Sequence, residues 1–134
     1  MLVEVELLSV RNLGSITCDI GIRLSDAVIE TMEAFINNED VAFIEALIGT
    51  RISIDLCFFA MDYHECQHSQ KYLSSREIRG IVLDNPDPDW YIADCGANTE
   101  VTMIGDENTA KINIGDNVSF KGWFQAVIKP LTEL

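Results

Sequence analysis

A chain of 134 residues with 22 acids against 9 bases, net charge −13, has the length of one ordinary domain and can bury a core without metal or disulfide staples. Its 48% hydrophobic content excludes disorder, and no run approaches the ~18 apolar residues that a membrane span needs. Charge of this sign opposes nucleic-acid backbone and anionic membrane, and it favours a basic partner.

A single domain over 1–134 is expected. Glu4 and Glu6 stand where a secretory leader would carry bases, so the expected location is the cytoplasm. In that compartment Cys18, Cys57, Cys66 and Cys95, which form no CxxC pair, read as small apolar residues rather than disulfides.

The first 24 residues alternate like a hairpin. Val3, Val5 and Leu7 interleave with acids, Asn12-Leu13-Gly14 supplies the turn, and Ile16, Cys18, Ile20, Ile22 and Leu24 point to one side. From Ser25 to Gly49 the pattern changes. Ser25 is a suitable N-cap, Val28, Ile29, Met32, Phe35 and Ile36 make one apolar face at 100° per residue, and Asn37-Asn38 interrupts before a second piece that ends at Gly49. The spacing predicts a kinked helix or helix pair over about 25–48, with Asp26, Glu30 and Glu33 on an outward ridge. A DNA-reading helix-turn-helix is excluded, because no base lies between Arg23 and Arg51 to meet phosphates.

Strand patterns resume at Ile52–Phe58, Ile78–Leu83, Trp90–Cys95, Val101–Ile104, Ala110–Ile114 and Val118–Ile128, with Asp62–Ser75 polar and unassigned. Asn85-Pro86-Asp87-Pro88-Asp89 is an acidic, proline-stiffened connection, and Gly122 marks a bend in the closing strand. The expected fold is therefore α+β: an antiparallel curved sheet or small β-barrel with the helical segment packed on one face or end.

Three constellations carry chemistry. His64-Glu65-Cys66-Gln67-His68 spells the zinc-hydrolase pattern HExxH, which requires a helix; on an extended segment His64, Cys66 and His68 would instead share one side as a mixed metal-ligand set. Lys121 and Trp123 on the closing strand offer a base-stacking platform of the kind single-strand nucleic-acid binders use, against which the net charge weighs. Asp84, Asp87, Asp89 and Asp94 lack the spacing and central glycine of a calcium loop. With Glu100, Asp106 and Glu107 they make a second zone free of bases between Arg79 and Lys111.

No phosphate loop or nucleophile elbow is present, and no cofactor is implied. The function expected is a non-catalytic, immunity- or inhibitor-like module that binds a basic protein through Asp26, Glu30, Glu33, Asp87 and Asp89, with Trp123 as apolar anchor. The alternatives are a nucleic-acid-binding barrel using Lys121 and Trp123, and a zinc protein using His64, Glu65 and His68.

Overall fold

The computed structural model describes residues 1–67, 70–105 and 111–130. Among them the strands are β1 (Leu2–Arg11), β2 (Thr17–Leu24), β3 (Ala27–Phe35), β4 (Arg51–Glu65), β5 (Tyr72–Leu73), β6 (Glu77–Asp87), β7 (Trp90–Asp94), β8 (Asn98–Met103) and β9 (Asn117–Ile128). The protein is 63% strand and 6% helical, with no helix of seven residues or more among the described residues. This corrects the α+β expectation: no helix packs on the sheet, and the fold is nearly all β.

The correction centres on residues 25–48. Ser25 does not cap a helix. It adopts φ 54° at the first position of a two-residue turn that joins β2 to β3, with Leu24 opposite Ala27. A positive φ there gives the primed-turn twist that suits a tight hairpin. The β-branched Val28, Ile29 and Thr31 then favour a pleated surface, and β3 finds partners on both edges, antiparallel β2 and parallel β9. Burial alternates accordingly: Ile29, Thr31, Ala34 and Ile36 are inside, while Val28, Glu30, Met32 and Phe35 are outside. Asn37 does cap, but only a 3-10 turn, Asn38–Asp40, by accepting from the Glu39 N–H. A second 3-10 turn, Ile44–Leu47, buries Ile44, and Gly49 ends the segment at φ 91°.

The chain forms two compact units, Met1–Leu56 with Phe124–Leu134, and Cys57–Trp123. In the first, β1, β2 and β3 form an antiparallel meander. Arg51–Asp55 of β4 pairs antiparallel with β1, and Phe124–Val127 of β9 runs parallel to β3. The Lys129 N–H donates to the Ser53 carbonyl at 3.2 Å, so the strand order returns on itself as in a barrel. Inside lie Val5, Leu7, Ile20, Ile22, Ile54 and Phe124, all at 0% exposure. Ile16, expected with them, is exposed, because β2 begins only at Thr17.

The second unit repeats the plan. β6, β7 and β8 make the meander, Asn117–Lys121 of β9 pairs antiparallel with β6, and Cys57–Ala60 of β4 runs parallel to β8. The Cys66 N–H donates to the Asn117 carbonyl at 2.8 Å, which closes this ring too. In each unit a long strand pairs antiparallel with the first meander strand and another runs parallel to the third. No internal repeat in the sequence accompanies this repeated topology. Ser119 of β9 is fully buried and donates to Glu77 Oε1 at 3.1 Å. The strand expected over Ala110–Ile114 does not form in its described part, residues 111–114.

One buried hydroxyl completes the first ring. The β2–β3 register shifts between Cys18 and Gly21, and there the Ile20 N–H donates to Thr31 Oγ1 at 3.1 Å while Thr31 Oγ1 donates to the Ile20 carbonyl. The side chain replaces the ladder that the bulge interrupts. Thr31→Val keeps the shape and leaves a buried donor and acceptor unserved, so it is expected to cost about 2 kcal/mol. The check is the shift in urea midpoint at unchanged m-value.

Candidate functional site

Four acids of the first unit sit in ion pairs. Glu4 meets Arg51 at 3.1 Å, Glu6 meets Arg23 at 3.2 Å, Glu30 meets Arg11 at 2.8 Å, and Asp55 meets the N-terminal ammonium at 2.7 Å. Such surface pairs add little stability, but they offset the charge of those four acids. The helical ridge imagined for Asp26, Glu30 and Glu33 is dispersed. Asp26 sits in the β2–β3 turn, Glu30 is on the outer face of β3, and Glu33 is half-buried opposite Gln125. Along a strand, four residues span about 13 Å, where one helical turn would have brought them within ~6 Å.

The other expected acids lie together. From Leu83 to Asp89 every residue of the β6–β7 hairpin end is exposed, and Asp84, Asp87 and Asp89 occupy it. The Asn85 N–H donates to Asp84 Oδ1 at 2.8 Å, and its side-chain amide donates to the Asp87 and Trp90 carbonyls at 2.5 and 2.8 Å. Pro86 and Pro88 fix two of the intervening φ angles. The three carboxylates are thus carried on a braced turn, and no basic side chain among the described residues forms an ion pair with any of them.

Two further acids of this unit serve structure. Lys71 at 2.6 Å and the Gly96 N–H hold the Asp94 carboxyl below the usual carboxylate range. Arg79 and Ser119 both donate to Glu77 Oε1, at 3.0 and 3.1 Å. The Arg79 hydrogen bond foremost, against an opposing push from burial, keeps Glu77 below its ordinary value. A lowered carboxyl pKa means stability that is complete above the unfolded value and lost as pH falls through the folded one. Urea midpoints should therefore fall on acidification below the usual glutamate range, and Glu77→Gln should flatten that fall.

The remaining candidates are placed as follows. Trp123 is half-buried and stacks with Phe59, centroids 6.4 Å apart and planes 23° from parallel. That covers one ring face, and Lys121 pairs across the strands with Glu77. His64 and Glu65 end β4 as extended residues, so they face opposite sides and the helix that the HExxH chemistry requires is not formed over them. Cys66 follows, its thiol 3.9 Å from the His64 carbonyl; His68 lies outside the described residues. Among the described residues no group of three His, Cys, Asp or Glu side chains is placed to hold a metal.

Burial pushes the Cys57 thiol up to about 11 and the Cys95 thiol to about 12, which leaves both protonated and unreactive at neutral pH. Missed in the sequence was the stacking of Trp123 on Phe59, which lies far from it along the chain. No family model, curated protein or solved structure matches the chain, and among the described residues no helix is long and apolar enough to cross a membrane.

Proposed function

We propose that the protein is a non-catalytic binding module that recognises, and thereby inhibits or regulates, a basic protein, with the β6–β7 hairpin end as its charged contact. One observation carries the reading: Asp84, Asp87 and Asp89 lie together on one turn, exposed, braced and without basic partners among the described residues, whereas Glu4, Glu6, Glu30 and Asp55 of the first unit each face an arginine or the N-terminus. Carboxylates carried on a braced backbone turn can occupy a surface evolved for phosphates, and the turn loses little conformational freedom in doing so. A nuclease-type or other nucleic-acid-handling protein has a surface of that kind. Free thiols at Cys18, Cys57, Cys66 and Cys95 accord with a cytoplasmic place of action.

The test is affinity for a defined lysine-rich peptide as a function of salt, read by fluorescence anisotropy. The reading requires binding that weakens steadily as ionic strength rises. No binding at low salt, or binding indifferent to salt, would contradict it.

A further inference from the structure

Beside the acidic hairpin end, the outward face of the second unit carries a strip of large apolar side chains. Trp90 on β7 stands opposite Thr102 on β8, and Thr102 stands opposite Phe59 on β4. Residues directly opposite across neighbouring strands project to one side. Phe59 stacks in turn with Trp123 on β9, and all four are half-buried. Met61, the next residue on that side of β4, is 66% exposed.

The adjoining row across the sheet is Asp84, Ile92, Glu100 and Cys57, so the acidic hairpin borders the strip. From Trp90 to Phe59 is two strand spacings, about 10 Å, the width of a single peptide segment. Tyr63 follows Met61 on that side of β4, and its hydroxyl accepts from the Lys111 backbone N–H at 3.3 Å.

Aromatic anchors with a charged border have the layout of an interaction surface. We infer that this face docks a basic amphipathic segment of the partner, with large apolar side chains against Trp90, Phe59 and Met61 and lysines or arginines against Asp84, Asp87 and Asp89. The inference rests on the reading of the protein as a binder of basic proteins, and adds where the partner's apolar side chains go. Charge selects this occupant. A second copy of a −13 chain would bring net repulsion to the same rim, and an acidic segment would set like charges together.

Both of the chain's tryptophans lie on the strip, so their emission reports its occupancy. The experiment titrates the full chain with a synthetic peptide of alternating lysine and leucine, and with a counterpart bearing glutamate for lysine. The lysine peptide should shift tryptophan emission saturably and the glutamate peptide should not. Met61→Ser, at an exposed position that leaves the core untouched, should weaken binding about tenfold, the loss of one interface anchor.

If the lysine peptide binds in a salt-dependent way while emission is unchanged and Met61→Ser binds like wild type, docking on the strip is overturned and the acid-based reading stands. If the lysine peptide does not bind, or binds Asp84→Asn/Asp87→Asn/Asp89→Asn as tightly as wild type, that reading fails and the inference falls with it. Emission that changes with protein concentration alone, together with a dimer mass in light scattering, would assign the strip to a second copy and overturn the inference.

Discussion

Gly122→Ala is expected to destabilise the protein by about 3 kcal/mol or more, enough to lower the melting temperature by roughly 10 °C. The cause is contact rather than backbone freedom. A methyl group at position 122 would overlap the Phe59 carbonyl oxygen and press on its carbon and the Ala60 Cα. All of these are backbone atoms, so no side chain can swing aside and the strands themselves would have to part. At Gly80 an added methyl would likewise overlap the Asp94 carbonyl. Gly14→Ala is the control, since its nearest neighbour would sit at 3.5 Å; a change within about 0.5 kcal/mol is expected there. Thermal melts of the three variants check the argument, and a Gly122→Ala protein as stable as wild type would refute the close approach of β9 to β4 at Phe59.

Neutralising the hairpin end should have the largest effect on binding. Asp84→Asn/Asp87→Asn/Asp89→Asn keeps the side-chain shapes and removes three charges that have no counter-ion among the described residues. Affinity for a lysine-rich peptide at low salt should fall at least about tenfold, chiefly through the association rate, with the difference from wild type shrinking as salt screens the field. Asp26→Asn/Glu33→Gln removes two acids of the first unit and should give only the smaller loss that follows from reduced net charge. Stopped-flow association at two ionic strengths separates the variants. Equal losses from both sets would mean that net charge, and not the hairpin, does the recognising.

The β-rich character was legible because period-two burial is local: Val3, Val5 and Leu7, and again Ile52, Ile54, Leu56 and Phe58, alternate within a few residues. Residues 25–48 were misread for an equally physical reason. Val28, Ile29, Met32, Phe35 and Ile36 satisfy a 3.6-residue period, and only the strand partners on either side of β3 decide that the β-branched residues among them prevail. The turn at Ser25 was a further trap, since a residue suited to cap a helix instead takes a positive φ. The acidic connection at Asn85–Asp89 was visible as composition; its bracing by the Asn85 amide was not. Nor was the Trp90–Thr102–Phe59–Trp123 strip, which draws on strands widely separated along the chain.

The placement of the binding surface can be measured residue by residue. In a titration of the isotope-labelled protein with a basic amphipathic peptide, backbone amide shifts should concentrate at residues 83–92 and 57–61. Perturbations centred instead on Asp26 and on Val28–Phe35 of β3, or spread evenly over the chain, would contradict the account.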